Sequence, residues 1–295
     1  MKTALVLSGG GAKGAYEIGV YQALLDMNIK VDMIVGTSIG AMNGYIISQH
    51  KFGEAKKLWE TLKTEDVFDF SAARERARQY AAEFAKDHDR ENIREQFKEL
   101  FRENTGARFT SIKNLLNERF SEDAVRESDI EFGICTVKIP ADVDVLGVSG
   151  LLKDLRFIDR EDLKKLKPEV MRLWKEDIPK GKMLDYVLAS CSIVPITVPY
   201  EIDGQHFIDG GFADNMPISM ALEKGADVII AVRLEAPGLL KFGDMVKADW
   251  QSKLITIFPS ESTGDMTDFD PAKSKRIMHM GYMDTLRIFQ KLKLD

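Results

Sequence analysis

Val31-Asp32-Met33-Ile34-Val35-Gly36-Thr37-Ser38-Ile39-Gly40 carries a largely apolar run straight into a serine set between glycines. The run predicts a buried strand, and the serine then stands where that strand must turn sharply into a helix. This is the sequence form of a nucleophile elbow. Gly36 and Gly40 are required because the turn brings backbone segments too close for side chains, and the strain leaves the Ser38 hydroxyl exposed at the carboxyl end of the strand.

Upstream, Thr3 to Leu7 predicts another strand, which runs into Gly9-Gly10-Gly11-Ala12-Lys13-Gly14. Backbone N–H groups in such a loop have no side chains to shield them, so Gly9, Gly10 and Gly11 are candidate oxyanion donors, and Lys13 is a candidate source of positive charge. Strand, glycine loop, helix, strand, elbow and helix is how a parallel sheet with crossover helices begins. The first helix is expected to bury Ile18, Tyr21, Leu24 and Leu25, and the second to carry Met42, Tyr45, Ile46 and Gln49.

Farther on, the predicted elements are a strand over Ile130 to Val137, two short helices over Asp159 to Lys182, and a helix over Leu184 to Ala189. Val194-Pro195 and Val198-Pro199 force extended chain. A short strand, His206 to Asp209, is followed by an apolar run, Val228 to Val232, of the kind found in a buried parallel strand. Residues 71–127 read differently, as a charged, helix-prone insertion. Ile93, Phe97, Leu100 and Phe101 form one apolar stripe in it, and Tyr80 and Phe84 a shorter one, either packing on the core or forming a cap over the site.

Composition limits the function classes. A chain of 295 residues with 44% hydrophobic content suits one large α/β domain spanning residues 1–295. Its net charge of −6, with basic residues spread among the acids, argues against nucleic acid as a partner. Cys135 and Cys191 form no metal-ligand spacing and are expected as small buried hydrophobes. No metal and no cofactor are expected. The apolar segment before the first glycines is too short for a signal sequence, and no stretch is long enough to span a bilayer. The expectation is a cytoplasmic protein, a location compatible with peripheral membrane contact.

A serine hydroxyl needs a group to accept its proton. His50 follows the elbow helix by several turns, His88 lies in the insertion, and His279 falls in a C-terminal helix. His206 neighbours Asp209, but three residues along a strand put the two side chains on opposite faces. Asp209 itself ends a strand, where α/β sheets hold their ligands, and Gly210 and Gly211 let the backbone approach another segment.

In order and spacing, Leu7 to Gly14, Gly36 to Gly40 and Asp209-Gly210-Gly211 resemble the oxyanion segment, nucleophile elbow and catalytic aspartate of the patatin-like phospholipases. These are serine acyl hydrolases that use a Ser/Asp dyad in place of a histidine triad. Ala189 to Pro195, Asp214-Asn215-Met216-Pro217 and Phe269-Asp270-Pro271 look like further family blocks. The resemblance implies a three-layer α/β fold whose mostly parallel central sheet is flanked by helices. It also implies Ser38 as nucleophile, Asp209 as general base and a lipid or fatty-acyl ester as substrate. The 71–127 insertion falls where the family is expected to vary.

Two other readings compete. Gly9, Gly11 and Gly14 satisfy a dinucleotide-binding fingerprint, with Asp32 near the distance expected of a ribose-binding acid. However, Asp32 opens its strand where the fingerprint wants it at the end. A non-catalytic lipid-binding protein of the same fold is the other alternative, disfavoured by the presence of both Ser38 and Asp209.

Overall fold

The computed structural model describes residues 1–71, 107–140, 168–194, 196–236, 238 and 240–292. The strands are β1 (Thr3–Leu7), β2 (Met33–Thr37), β3 (Glu131–Ile139), β4 (Glu169–Trp174), β5 (Tyr200–Ile202), β6 (Gln205–Asp209), β7 (Val228–Val232) and β8 (Lys253–Ile257). The α-helices among the described residues begin with α1 (Ala15–Asp26), α2 (Ile39–Ile47), α3 (Phe52–Thr61), α4 (Thr64–Val67) and α5 (Thr110–Arg119). They continue with α6 (Glu122–Glu127), α7 (Met183–Ser190), α8 (Ile218–Glu223), α9 (Phe242–Gln251) and α10 (Pro271–Leu292).

All strands among the described residues join one eight-stranded sheet. Its centre is parallel, with β1 between β2 and β7, β3 beside β2 and β8 beside β7. These strands are apolar at nearly every position because helices cover both faces. The period-two alternation of a strand assigns its residues to two separate cores. Leu5, Leu7, Ile34, Ile230 and Val232 face α1, α2, α3 and α10, whereas Ala4, Val6, Met33, Val35, Ile229 and Ala231 face α8 and α9. The result is a three-layer α/β architecture.

How β3 is paired positions the site. Residues Glu131 to Cys135 pair in parallel with β2, and Thr136 to Ile139 pair antiparallel with β6. β4 pairs with Gly133 to Lys138 and so overlaps both. A strand has only two edges, so β4 takes one while β2 and β6 share the other. β2 stops at Thr37, opposite Cys135, and β6 arrives from the other direction and stops at Asp209, opposite Thr136. Their carboxyl ends meet head-on.

Two expectations change here, and a third falls outside the described residues. Leu25 is exposed, not buried, because α1 packs through Ile18, Tyr21 and Leu24. The described part of Asp159 to Lys182 contains the strand β4 where helix was expected. Its half-buried residues gain a complete antiparallel ladder against β3, which outweighs their weak local preference. Of the charged insertion, residues 72–106 lie outside the described residues. So do both aromatic stripes, Ile93, Phe97, Leu100 and Phe101 and also Tyr80 and Phe84, together with His88. The described remainder packs on the core through Ile112 and Leu116 of α5 and Val125 of α6.

Candidate active site

Ser38 links β2 to α2 at φ 56° and ψ −128°. Such a backbone costs a non-glycine residue on the order of 1–3 kcal/mol, so the surroundings must enforce it. Crowding does part of this: a Cβ at Gly36 would lie 2.3 Å from the Gly40 carbonyl oxygen, and one at Gly40 would lie 2.4 Å from that of Leu7. Hydrogen bonds do the rest. The Ser38 N–H donates to Ser190 Oγ at 2.7 Å, and the Ser190 hydroxyl donates to the Cys135 carbonyl at 2.6 Å. The amino terminus of α2 therefore points at the serine, favouring negative charge beside it.

Asp209 enters from the opposite strand. Its N–H donates to the Ser192 carbonyl at 2.8 Å, so Ser190 and Ser192, two residues apart at the end of α7, hold the two candidate catalytic residues. Gly210 is tight against β3, since a Cβ there would stand 2.2 Å from the Cys135 carbonyl oxygen. Asp209 Oδ1 accepts the Gly211 N–H at 2.7 Å, while Oδ2 is buried and has no hydrogen-bond partner among the described residues. Burial pushes the Asp209 carboxyl up to about 7, against the lowering pull of the Ser38 hydroxyl and the Gly211 amide. A carboxylate with a free oxygen and a pKa near neutrality beside a serine is suited to accepting its proton.

The glycine loop closes the third side. A Cβ on Gly9 would come within 3.1 Å of Ser38 Cβ. The Gly9 N–H, however, is taken by the Asn215 carbonyl at 3.1 Å. Gly10 and Gly11 keep N–H groups with no acceptor among the described residues, so they are the better oxyanion candidates of the three. Lys13 does not point at Ser38, because its ammonium donates to the Glu235 carbonyl. Burial lowers its pKa, and the Glu235 and Asp265 carboxylates partly offset that.

Several residues support this arrangement, and two of them, Asp214 and Asn215, fall in a block already visible in the sequence. Asn215 ties the Asp209 loop to the glycine loop through its carbonyl. Asp214, fully buried, accepts from Arg172 and Lys241 at 3.0 Å each, and its own carbonyl accepts the Thr37 hydroxyl at 2.8 Å, tethering the same loop to the end of β2. Asn43 of α2 donates to the Gly14 carbonyl and to Glu17, at 3.0 and 2.8 Å, and accepts from Trp59 Nε1 at 2.8 Å. Burial raises the Glu17 carboxyl well above the ordinary carboxylate range. Only spatial neighbours could have revealed these roles. The block Ala189 to Pro195 was visible in the sequence, but the work of Ser190 and Ser192 was not.

Neither His50 nor His279 is at this site. His50 pairs with Asp129 at 2.8 Å beside the amino end of β3, and His279 is exposed on α10. Asp32 also sits at the amino end of its strand, where it accepts the Thr3 N–H at 2.9 Å and meets Lys30. A dinucleotide ribose bound at the glycine loop would be at the other end of the sheet.

Against Ser38 lies a cavity of about 30 Å³ lined almost wholly by hydrocarbon, including Met42, Val67, Phe68, Phe109, Ile112 and Phe269. Cys191 contributes to this lining, whereas Cys135 is buried in the sheet. Burial raises both thiols, to about 12 for Cys135, so neither is an activated nucleophile.

A family model described as patatin-like phospholipase matches residues 5–222. Patatin-like phospholipase domain-containing protein 7 of Rattus norvegicus is 26% identical over 252 residues, covering 84% of this chain and 15% of that protein. Lysophospholipase nte1 of Neurospora crassa is 24% identical over 254 residues, covering 83% of this chain and 13% of that protein. The chain thus spans a small fraction of the length of these curated relatives. The crystal structure of VipD from Legionella pneumophila superposes with a TM-score of 0.54 at 15% identity, covering 98% of this chain and 67% of that one, a likeness of fold.

Proposed function

The chain belongs to the patatin-like phospholipase family, and on that premise we propose that it is a serine acyl hydrolase cleaving carboxylic ester bonds of lipids through Ser38 and Asp209. The observation that carries this reading is the head-on meeting of β2 and β6 on one edge of β3, which sets a strained serine beside a buried carboxylate with one oxygen unpartnered among the described residues.

In this mechanism Asp209 Oδ2 takes the Ser38 proton as Oγ attacks the ester carbonyl. The carbonyl oxygen acquires negative charge facing the Gly10 and Gly11 N–H groups and the amino terminus of α2. Such preorganised donors are worth about 3–4 kcal/mol apiece in the transition state. Collapse expels the alcohol, which takes the proton from Asp209, and leaves Ser38 acylated. Water then attacks the acyl-enzyme, giving a proton to Asp209; as the Ser38 Oγ–acyl bond breaks, Oγ takes that proton back from Asp209 and the free acid departs.

The apolar lining at Ser38 supports an acyl chain as the group bound next to the carbonyl. At about 30 Å³ the cavity admits little more than a methylene or two, so Phe68, Phe109 and Phe269 must move to admit a longer chain. No helix among the described residues is long and apolar enough to cross a membrane, and peripheral contact with a lipid surface is part of this proposal.

Covalent labelling by a fluorophosphonate tests it. Wild type should be labelled at Ser38, and a folded Ser38→Ala protein should be neither labelled nor able to hydrolyse a p-nitrophenyl ester. Labelling elsewhere, or near wild-type hydrolysis by that variant, overturns the assignment; a protein that takes no label at all supports the non-catalytic alternative.

A further inference from the structure

β8 ends the sheet beyond β7, so one of its edges has no strand beside it among the described residues. The Lys253 N–H donates to the Asp227 carbonyl at 2.9 Å, and the Ile257 carbonyl accepts the Arg233 N–H at 2.8 Å. The odd-numbered residues of β8 therefore turn their backbone toward β7. Leu254 and Thr256, with Phe258 just after the strand, turn theirs away, and none of these backbone groups has a hydrogen-bond partner among the described residues. An open edge of this kind is a template for another strand. Other outer strands are guarded: β5 spans only Tyr200–Ile202, and β4 carries Glu169 and Arg172. β8 has one charge, Lys253, at its first position.

Apolar surface flanks the open edge. Leu254, Thr256 and Phe258 share the face of the sheet on which α9 packs, because Ile255 and Ile257 belong to the opposite core. Phe258 is 58% exposed. On α9, Val246 and Trp250 lie four residues apart and so on one side of the helix, and they are 58% and 85% exposed. Trp250 stands three residues before β8, at the start of the open edge.

We propose that this edge is the interface of a symmetric dimer, in which β8 pairs antiparallel with β8 of a second copy and the two sheets become one. A two-fold axis makes the paired strands antiparallel and presents the same residues from both sides, so the register must complement itself. One register satisfies every open backbone group. Thr256 faces Thr256, and Leu254 of each copy faces Phe258 of the other, each pair exchanging both N–H···O bonds. Moving the axis by one residue leaves either Leu254 or Phe258 without a partner. The same register sets an aliphatic against an aromatic side chain on both sides of the axis. It also brings Lys253 toward Glu261 of the second copy, a pair of opposite charges that are both exposed in one copy. The backbone ladder is short, but two Phe258 and two Trp250 side chains, each about 150–250 Å² when buried, carry the contact toward the ~1,000 Å² of a specific interface. Strands of the two copies run in opposite directions, so the two Ser38 sites open at opposite ends of the joined sheet. A flat lipid surface meets one of them at a time.

Sedimentation equilibrium on the full chain should give twice its mass of 33.2 kDa. Trp250→Lys and Thr256→Pro should each raise the dimer Kd by at least about tenfold, with unchanged circular dichroism. Neither removes a contact that one copy needs: Trp250 is exposed, and a proline is tolerated where the N–H of an edge strand points away from its neighbour. Cross-linking by a short bismaleimide reads the register. Thr256→Cys should be joined to its mate above the wild-type background of Cys135 and Cys191, since directly opposed residues lie about 5.5 Å apart. Phe258→Cys should not, because the two copies of that residue would be four positions out of step, about 13 Å. A monomeric wild-type chain, an assembly larger than a dimer, a dimer that either variant leaves intact, or cross-linking through Phe258→Cys in place of Thr256→Cys overturns the proposal.

Discussion

Ser38 and Asp209 occupy equivalent places, each at the carboxyl end of a strand lying on the same edge of β3, yet they are held by different means. The serine is set by its own backbone, an unusual turn between two glycines. The aspartate has ordinary extended backbone and owes its properties to burial and to contacts with residues from other elements. Strain presents the proposed nucleophile, and desolvation makes the proposed base. The two can therefore be perturbed separately.

The largest effect should come from removing either member of the pair. Asp209→Asn keeps the shape but cannot take a proton, so kcat/KM should fall by about 10²- to 10⁴-fold. The double variant Ser38→Ala/Asp209→Asn should be no worse than Ser38→Ala, since the residues act as a unit. Additive losses would separate them.

Stability should move the other way. Because the folded carboxyl titrates at about 7, above its ordinary value of 3.8, the protonated form is the favoured one in the fold. Its stabilising contribution is complete below about pH 4 and is lost as pH rises through 7. Asp209→Asn should therefore melt above wild type at pH 8, with the gap closing toward pH 4. Activity needs the carboxylate, so wild-type kcat/KM should fall on the acid side with an apparent pKa near 7. A flat profile from pH 5 to 8 would deny Asp209 the base role.

Next in size is Gly10→Val. Its Cβ would lie 2.6 Å from Leu234 Cδ1, displacing the loop and its N–H from the carbonyl oxygen. Loss of one such donor costs about 3–4 kcal/mol in the transition state, read in kcat with KM little changed. Unchanged turnover would assign the loop another role.

Ser190→Ala sharpens the comparison further, since it removes the hydroxyl that holds the Ser38 N–H and leaves Asp209 bonded to Ser192. Stability should drop by about 1–3 kcal/mol for the unsatisfied buried groups, and kcat should fall while the acid-limb pKa stays put. A shifted limb would show that Ser190 acts on the base as well. The smallest effect is reserved for Lys13→Gln. Its ammonium is committed to the Glu235 carbonyl, so kcat/KM should change by no more than about threefold, the scale of a partly exposed charge.

How much could be read in advance follows the same division. The elbow was legible because a sharp strand-to-helix turn constrains its own residues: no side chain fits at Gly36 or Gly40 whatever the rest of the chain does. The central strands were legible because burial on both faces leaves few polar positions. β4 was not, since Glu169 to Trp174 is a mixed, half-exposed stretch that becomes a strand only by pairing with β3. Nor could the sequence tell which glycine donors are free, because Gly9 is distinguished from Gly10 and Gly11 only by an Asn215 carbonyl more than 200 residues away.

By itself, then, the sequence determined the strained turn that presents Ser38, the glycine loop beside it, the buried strands of the sheet and the aspartate at the end of β6. These depend on local backbone sterics and on hydrophobic patterning, which neighbouring residues specify. Only the tertiary structure decided that β2 and β6 abut on one edge of β3, that Ser190 and Ser192 grip one residue each, and that Asp209 loses enough water to titrate near 7. Register and desolvation belong to the assembled sheet, since a carboxyl's pKa is set by what surrounds it in space and not by what flanks it along the chain.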